Sequence, residues 1–400
     1  MSSLSIAVVG CGVAGQAAAI FLADAGHDIT VFERFAEPRP IGAGLLLQPT
    51  GLAVLRALGL DEEALAQGGK VLGLEAKTAG GRAVLDLAYA DLHPRTHGLG
   101  IRRSVLFDLL HGRLKRSPAR LVTGTEILDV EREHGRGVAI DKDLGRHGPF
   151  DLVVVADGAH SALRRRRMPA AHQKLYPWGC VWTTVTDGAG IGAGGLLRQR
   201  VRGTREMMGL LPVGGGLLTV YWSLPVAELA PDLPLDTDRI RRTAAALWPE
   251  AAGIMIAADD FSRATYRNVA LPRWNDGPIV FIGDAAHGTS PQLGQGANLA
   301  LVDAWSLAAA IGESIDVAGA IDRFAARRSA TVRFYRQASH LLTPLFQSDF
   351  PPFGWARDAV MGLACRLPVL RPLAATTLAG LRTGWLKRAP LDAEGRYRLI

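Results

Sequence analysis

Cysteine is scarce in this 400-residue chain: Cys11, Cys180 and Cys365 are the only three, and they lie far apart. An odd number of scattered thiols supports neither a disulfide framework nor a paired-cysteine metal site, so we expect a reducing compartment. The N-terminal stretch has no basic segment typical of a secretory signal. No apolar run is long enough to span a bilayer. These absences predict a cytoplasmic protein without a membrane span.

Aromatic residues are also few, at 6% of the chain, and no recognisable nucleic-acid-binding module accompanies the net charge of +7. Because stacking platforms are scarce, we expect no nucleic-acid partner. Arginines cluster at positions 164–167 and 198–205, and we interpret both clusters as solvated basic surface. The composition, with 48% hydrophobic and 21% charged residues, predicts a globular chain with a large core.

A strand, a glycine turn and a helix follow one another near the N-terminus. Residues 6–9 are apolar and β-rich, and the turn after them consists of Gly10, Cys11, Gly12, Val13, Ala14 and Gly15. The first glycine permits the tight turn, the second lets the backbone approach a pyrophosphate, and the third allows close helix packing. The N–H groups at the helix N-terminus attract phosphate. This order predicts a dinucleotide-binding unit.

An acidic residue follows the second apolar stretch, residues 29–32, at the distance expected for such a unit. Glu33 can accept both hydroxyls of an adenosine ribose, and its neighbour Arg34 is a further candidate cofactor contact. An acid at this position favours an adenosine without a 2′-phosphate, hence FAD or NAD rather than NADP. The glycine turn alone does not separate FAD from NAD.

Two later segments bear on that choice. A buried-type strand at 151–156 ends in Asp157 and Gly158, and another at 279–282 ends in Gly283 and Asp284. A short carboxylate at the carboxyl end of a parallel strand lies where ligands bind in open α/β sheets. The loop after the second strand leads into a helical run and contains Pro291, Gly294, Gln295, Gly296, Ala297 and Asn298.

With these three ordered motifs, residues 5 to 335 resemble the class A flavoprotein monooxygenases, the FAD-dependent aromatic hydroxylases of the p-hydroxybenzoate hydroxylase type. The resemblance implies FAD as cofactor, NADPH or NADH as transient reductant and O₂ as co-substrate. It implies that Asp284 binds the ribityl chain and that Asp157 serves FAD or NAD(P)H. Gly294, Gln295 and Gly296 would lie beside the isoalloxazine. If the following helix starts near Asn298, its dipole favours negative charge on reduced flavin.

A further arginine contact follows from the same resemblance. In the segment Ile101-Arg102-Arg103-Ser104-Val105-Leu106, the best register implies that Arg103 touches the cofactor, with Arg102 one position away as the alternative.

The implied activity is insertion of one oxygen atom into an aromatic or cyclic small molecule through a flavin C4a-hydroperoxide. One alternative is a hydroxylase or epoxidase of a larger apolar quinone precursor or polyketide. A flavin-dependent halogenase is less consistent with the sequence, which contains no Trp-x-Trp-x-Ile-Pro segment, and a flavin-bound sensor without activity also stays open. The catalytic base is unknown, because the following residues are candidates by chemistry alone: His93, His97, Tyr221 and His287. Of these, His287 fits a structural role in the cofactor loop better.

The spacing of the motifs predicts an α/β fold in which a Rossmann-like FAD-binding domain is discontinuous. We expect it to comprise residues 1–70, 98–175 and 272–340. An inserted antiparallel-sheet substrate domain would comprise 71–97 and 176–271, beginning with a hairpin at 71–87. A C-terminal helical region, 341–400, would be broken into short pieces by its prolines, beginning with Pro344. Its apolar residues would pack on the core, on another subunit or on a membrane surface, and we favour the core or a subunit. We expect a monomer or homodimer.

Overall fold

The computed structural model describes residues 2–40, 44–256 and 258–399. A six-stranded sheet lies at its centre, and only the short edge strand Asn275–Asp276 is antiparallel to its neighbour. In spatial order the strands are Asn275–Asp276, Ile279–Phe281, Leu152–Val155, Ser5–Val9, Asp28–Phe32 and Arg120–Val122. Because the other five run parallel, their carboxyl ends meet at one edge of the sheet. The predicted α/β fold class is confirmed.

Both faces of this sheet are buried, which explains why its strands are continuous apolar runs. Ile6, Val8 and Val154 point to the face covered by the helices Val13–Asp24, Arg103–Lys115 and Gly296–Gly312. Ala7 and Val153 point to the opposite face. A three-stranded sheet covers that side, and its strands are Ile127–Glu133, Arg136–Asp141 and Arg146–Phe150.

A seven-stranded sheet forms a second layer, antiparallel except where Leu196–Arg202 runs parallel to Gly73–Thr78. Its spatial order is Ser262–Ala270, His172–Thr186, Leu217–Pro225, Glu206–Pro212, Leu196–Arg202, Gly73–Thr78 and Ala83–Ala88. The last two strands are the predicted hairpin. One face, including Val181 and Val220, packs under the helices Thr237–Leu247 and Ala252–Ile256. Alternate residues such as Trp182 and Tyr221 therefore point to the other face.

Smaller elements connect these layers. A three-stranded sheet consists of Gly44–Leu47, Gly98–Arg102 and Gly69–Val71. Short helices occupy Pro49–Ala57, Asp61–Gln67, Ala162–Arg167 and Asp284–His287. None of the helices within the described ranges combines the length and the hydrophobicity that crossing a bilayer requires.

The C-terminal part contains the helices Val317–Phe346, Pro351–Ala364 and Leu370–Leu378. The expectation that Pro344 interrupts helical structure is wrong, because a 30-residue helix continues through it to Phe346. Pro351 opens the next helix, where the first N–H groups have no intrahelical partner and proline is therefore tolerated. Of the apolar residues in this region, Phe346 packs in the core as expected and is buried. Trp355 does not, because it is 69% exposed.

Candidate active site

The three glycines of the N-terminal turn have different neighbours. A Cβ placed on Gly10, whose φ is +102°, would lie 2.6 Å from the carbonyl oxygen of Ala156. A Cβ on Gly15 would lie 1.9 Å from the carbonyl oxygen of Gly10. A Cβ on Gly12 would have no described atom within 4 Å. Packing therefore requires Gly10 and Gly15, whereas Gly12 leaves open space at the N-terminus of the helix Val13–Asp24.

Glu33 lies beside this turn at the end of the strand Asp28–Phe32. Its Oε2 accepts a hydrogen bond from the Cys11 N–H at 2.9 Å, and its Oε1 accepts one from the Phe35 N–H at 3.0 Å. Each carboxylate oxygen can accept further bonds. The two backbone donors therefore hold a largely buried carboxylate next to the open space at Gly12. Burial, followed by repulsion from Glu33, raises the pKa of the Cys11 thiol to about 12.

Asp157 follows the neighbouring strand, Leu152–Val155. Its Oδ1 is buried and has no hydrogen-bond partner among the described residues. Burial raises the pKa of Asp157, and the Ser161 hydroxyl and Arg164 offset only part of this effect. An unpartnered carboxylate oxygen at this edge suits a ligand that donates a hydrogen bond.

Arg164 corrects the interpretation of residues 164–167 as solvated surface, because its side chain is fully buried. The guanidinium donates to the carbonyl oxygens of Ala159 at 2.5 Å and Ala285 at 2.9 Å. It therefore fastens the loop after Asp157 to the helix Asp284–His287. Nothing in the run of four arginines distinguishes this one, and only its position after the Asp157-Gly158 turn gives a signal.

Asp284 is exposed at the same sheet edge and is the first residue of a short helix. The preceding Gly283 has φ +59°, and a Cβ there would lie 3.0 Å from the Ala14 Cβ in the glycine-turn helix. The only described atom within 4 Å of a Cβ on Gly296 would be Asp284 Oδ1, at 3.9 Å. These contacts bring the glycine turn, the Gly283-Asp284 motif and the later loop into one crevice.

A buried charge network lies directly behind Asp284. Asp303 accepts hydrogen bonds from the Gly283 N–H at 2.9 Å and from Arg328 Nε at 2.7 Å, and its Oδ2 lies 2.5 Å from His287 Nε2. Burial favours the neutral acid, but attraction to His287 and Arg328 outweighs it and lowers the pKa of Asp303. His287 thus contacts the carboxylate that also holds Gly283, which is consistent with the structural role that its position in the sequence suggested. No motif in the sequence indicated a role for Asp303 or Arg328.

The loop from Pro291 to Asn298 differs in detail from the sequence expectation. The helix begins at Gly296 rather than near Asn298, so the free N–H groups of its first turn lie two residues earlier. Pro291 opens a short 3₁₀ turn. Gly294 has φ +61°, and a Cβ on it would have no described atom within 4 Å. Ala297 lies in the first turn of the helix and is half-buried. The loop therefore presents backbone to the crevice.

Two polar side chains of this loop point away from the crevice into the protein. Asn298 Oδ1 accepts from the Gln48 N–H at 2.8 Å, and its Nδ2 donates to the carbonyl oxygens of Leu46 and Gly294. Gln295 Nε2 donates to the Leu378 carbonyl oxygen at 2.8 Å. Their side chains hold the loop through contacts on its protein side, so any cofactor contact of these two residues would come from the backbone.

Arg103 begins the helix Arg103–Lys115 and is exposed. Its positive charge offsets part of the rise that burial causes in the pKa of Cys180 and Tyr266, two residues of the seven-stranded sheet. Arg102 is the last residue of the preceding strand, and its Nε is buried without a described partner. Arg34 is exposed beyond Glu33, with its guanidinium carbon 4.7 Å from the centre of the Phe35 ring.

The face of the seven-stranded sheet that carries Tyr221 adjoins the loop. Gln292 Nε2 donates to Gln347 Oε1 at 2.9 Å, and Gln347 Nε2 donates to the Ser223 hydroxyl at 2.8 Å. This chain of amides joins the 3₁₀ turn at Pro291 to the strand Leu217–Pro225. The Thr219 hydroxyl, on the same face, packs against Gly44, where a Cβ would lie 2.3 Å from it.

Aromatic and uncharged groups line that face. The Tyr221 hydroxyl accepts a hydrogen bond from Gln199 Nε2 at 2.5 Å, and its ring lies 5.5 Å from the Trp182 ring. Cys180 Sγ lies 2.7 Å from the Tyr266 hydroxyl. Burial raises the pKa of Cys180, Tyr221 and Tyr266, so all three stay neutral at physiological pH.

A cluster of cationic groups flanks the other side of the crevice around His160. Burial, followed by the charges of Arg267, Arg164, Arg165 and Arg34, lowers the pKa of His160. Arg165 donates to the His160 carbonyl oxygen at 2.7 Å. Several guanidinium groups near one position attract an anion.

The remaining histidine candidates have other partners. His93 packs against Gly395, and its Nδ1 accepts from the Arg95 N–H at 3.2 Å. The His97 Nδ1 lies 3.0 Å from the Gly98 carbonyl oxygen, and burial lowers the pKa of His97. Within the described ranges no group of three or more His, Cys, Asp or Glu side chains is placed to hold a metal ion.

The residues at this edge fit a flavin dinucleotide. The crevice offers open backbone at Gly12 and Gly294, the largely buried carboxylate of Glu33, and an unpartnered buried oxygen on Asp157. Fold and crevice together define a dinucleotide-binding protein of the Rossmann type.

Comparison with known proteins identifies the family. The family model described as FAD binding domain matches residues 3–338, so the chain belongs to this family of FAD-dependent aromatic hydroxylases. The chain is 32% identical over 321 residues to 3-amino-4-hydroxybenzoate 2-monooxygenase of Streptomyces cremeus, covering 76% of this chain and 77% of that protein. It is 29% identical over 371 residues to 2-heptyl-3-hydroxy-4(1H)-quinolone synthase of Pseudomonas aeruginosa, covering 90% and 94%.

A solved structure shares the fold. The crystal structure of Klebsiella pneumoniae HpxO with FAD and uric acid superposes with a TM-score of 0.81 at 22% identity, covering 96% of this chain and 98% of that chain. The predicted class, an FAD-dependent monooxygenase acting on aromatic or cyclic molecules, is confirmed, and so is FAD as cofactor. The halogenase and quinone-precursor alternatives are not favoured.

Proposed function

We propose that this enzyme hydroxylates a neutral aromatic or cyclic small molecule, with FAD as cofactor, NADPH or NADH as reductant and O₂ as the oxygen source. The observation that carries the proposal is the uncharged aromatic face of the seven-stranded sheet beside the loop from Pro291 to Asn298. The names of the relatives show that they act on diverse rings, including 3-amino-4-hydroxybenzoate. The substrate class of this enzyme is therefore inferred from the residues on its own sheet face. The side chains of Trp182, Tyr221 and Tyr266 are uncharged, and we assign Arg103, whose positive charge reaches Tyr266, to the cofactor rather than to the substrate.

Each part of the crevice has a proposed task toward FAD. The N-terminus of the helix Val13–Asp24 would receive the pyrophosphate, and Glu33 would accept the adenosine ribose hydroxyls. Asp284 would accept hydroxyls of the ribityl chain. The first turn of the helix Gly296–Gly312 would direct its N–H groups and positive dipole end toward the ring system. Asp157 and Arg103 complete the proposed set of contacts.

When bound, FAD supplies electron transfer from a nicotinamide and activation of O₂. The protein's own task is to orient the substrate ring and to exclude water. Tyr221 accepts its bond from Gln199 through oxygen, so its hydroxyl proton is available for donation to a substrate oxygen or nitrogen. We assign Tyr221 to this positioning task.

The basic cluster around His160 is the proposed docking site of the reductant. Pyrophosphate, with or without a 2′-phosphate, would bind between Arg34, Arg165 and Arg267. The number of guanidinium groups favours the more highly charged NADPH. We further propose a cytoplasmic monomer or homodimer, a location supported by three buried cysteines that form no disulfide.

The division into domains is proposed as the sequence predicts it. Residues 1–70, 98–175 and 272–340 would hold FAD, 71–97 and 176–271 would cover the substrate, and 341–400 would pack outside them. The six- and seven-stranded sheets support this division, and the helix Val317–Phe346 joins its last two parts.

A substrate screen tests the proposal. Purified holoenzyme would be assayed for NADPH and NADH oxidation with matched pairs of ring compounds, one member neutral and the other carrying a carboxylate. We expect neutral members to stimulate oxidation and to yield a product heavier by one oxygen atom derived from O₂. Consistent preference for the carboxylates would contradict the proposed substrate class, and absence of any oxygenated product would contradict the function.

A further inference from the structure

The surface of the C-terminal helices has an unusual distribution of polarity. Among the exposed residues between 351 and 373, Arg366 is the only charged one, and all the others are apolar. The most exposed large side chains are Phe353, Trp355, Val360, Leu363, Leu367 and Val369, and these six define the C-terminal apolar face. Single exposed apolar residues are ordinary, but a contiguous set marks an interaction surface.

The orientation of the helix Pro351–Ala364 is fixed by its inner side. A Cβ on Gly354 would lie 3.1 Å from the backbone of Gly203, and a Cβ on Gly362 would lie 2.3 Å from the Ala83 carbonyl oxygen. Larger side chains therefore cannot face inward at these positions. The helix is held with its glycines against the sheet and its leucine and tryptophan side chains toward solvent.

The polar residues of the same helix are on the inside. Arg357 is buried, where it donates to the Leu345 carbonyl oxygen at 2.9 Å and to Asp358 Oδ1 at 2.7 Å. With its arginine inside and its large apolar groups outside, this helix is the reverse of an ordinary surface helix. Arg371 of the next helix forms a surface pair with Asp91 at 3.0 Å.

The backbone between the two helices needs few outside partners. The N–H groups of Arg366, Leu367 and Leu370 donate to carbonyl oxygens within residues 363–367, and Pro368 has no N–H group. Entry into an apolar medium requires internally satisfied backbone. A protein partner would instead be expected to meet a polar rim with roughly one hydrogen bond per 100–200 Å², and this face offers Arg366 as its only exposed polar side chain.

The positive charge of the chain favours an anionic surface as the partner of the C-terminal apolar face. The chain carries a net charge of +7, and Arg366 lies within the face. The one acid of residues 351–373, Asp358, is already paired with Arg357. Aromatic and aliphatic side chains with flanking cations are the composition of interfacial membrane segments.

We propose that the C-terminal apolar face docks this enzyme peripherally on an anionic lipid surface, with Trp355, Val360 and Leu363 entering the headgroup boundary and Arg366 contacting lipid phosphates. This docking is independent of the substrate and of the catalytic proposal.

Vesicle co-sedimentation of the holoenzyme tests the proposal. The vesicles are phosphatidylcholine alone or phosphatidylcholine mixed with phosphatidylglycerol. The face variant is Val360→Glu with Leu363→Glu. The matched control is Leu144→Glu with Ile315→Glu, which makes the same change of charge at side chains 80% and 96% exposed elsewhere. Flavin content and the unfolding midpoint establish that both variants are folded.

The expected result is binding of wild type and control to the mixed vesicles, with weaker binding to phosphatidylcholine alone. The face variant should lose at least about tenfold in partition coefficient. An equal loss of partition coefficient in the control would show that net charge alone causes the loss, and it would overturn the proposal. Absence of vesicle binding by the wild type would also overturn it. A homodimer that the face variant alone converts to monomer, without vesicle binding, would assign the face to a second copy instead.

Discussion

The Nε2 atom of His287 lies 2.5 Å from Oδ2 of Asp303, and the same oxygen accepts the Gly283 N–H at 2.9 Å. One buried carboxylate thereby fixes both the start and the end of the helix Asp284–His287. The exposed Asp284 depends on this hidden support for its position at the sheet edge.

Asp303→Asn should destabilise the protein and weaken FAD binding together. It leaves the buried Arg328 without its counter-charge, which costs about 3–5 kcal/mol. Urea unfolding gives the free energy, and fluorescence titration gives the FAD dissociation constant. Asp24→Asn is the control, because its partner Arg113 is at the surface and the pair contributes at most about 1 kcal/mol. Equal effects of both substitutions would contradict the role of Asp303.

The pH dependence of stability follows from the lowered pKa of Asp303. A carboxyl with a lower pKa in the folded than in the unfolded state binds fewer protons when folded. Its contribution is therefore present above the unfolded-state pKa and is lost as the pH falls through the folded-state pKa. Urea unfolding at a series of acidic pH values should show a weaker decline for Asp303→Asn than for wild type. Parallel curves would show that other groups govern acid unfolding.

Gly12→Ala and Gly15→Ala should separate binding from folding. Gly12 is exposed and a methyl group there would meet no described atom, so its variant should keep the wild-type unfolding midpoint while the FAD dissociation constant rises about tenfold or more. Gly15→Ala would clash with the Gly10 carbonyl oxygen and should lose about 1–3 kcal/mol of stability. Gly188→Ala, also with open space, is the control. Unchanged FAD affinity in Gly12→Ala would place the pyrophosphate elsewhere.

Glu33→Gln should weaken FAD binding about tenfold, because the amide replaces one acceptor oxygen with a donor where ribose hydroxyls are expected. Glu37→Gln, an exposed acid four residues later, should leave affinity unchanged. Titration calorimetry with FAD compares the two variants. If both bind FAD like the wild type, another group holds the ribose.

Arg165→Gln should raise the KM for the nicotinamide reductant with little change in FAD affinity, since its guanidinium belongs to the basic cluster around His160. Arg166→Gln is the matched control, because the next guanidinium pairs with Asp129 at 2.7 Å outside the cluster. Steady-state oxidation of NADPH and NADH provides both values. Identical KM values for the two variants would remove the reductant from this cluster.

Tyr221→Phe should lower the amount of hydroxylated product per NAD(P)H consumed about three- to tenfold, because one hydrogen bond to the substrate is lost. FAD affinity should not change. Tyr397→Phe, near the C-terminus, serves as control. Product and cofactor are quantified by chromatography, and full coupling in Tyr221→Phe would contradict the positioning task.

The sequence predicted the elements that local pattern determines. Glu33 and Asp284 follow apolar strands, and the parallel sheet brings their ends together as expected. Contacts between distant residues had no such signal: Asp303 meets His287 through helix packing, and Arg164 is buried only because the Asp157 loop folds over it. The start of the helix at Gly296 was missed because glycine is a poor helix former. The sheet face that carries Trp182 and Tyr221 could not be predicted, because it depends on the register between two strands.

The most direct measurement of the central claim is a crystal structure of the protein with FAD. One FAD molecule should have its adenosine ribose at Glu33, its pyrophosphate at Gly12 and its ribityl chain at Asp284, with the ring between the loop at Gly294 and the sheet face of Tyr221. An FAD bound elsewhere, or one that reaches Glu33 but not Asp284, would contradict the account.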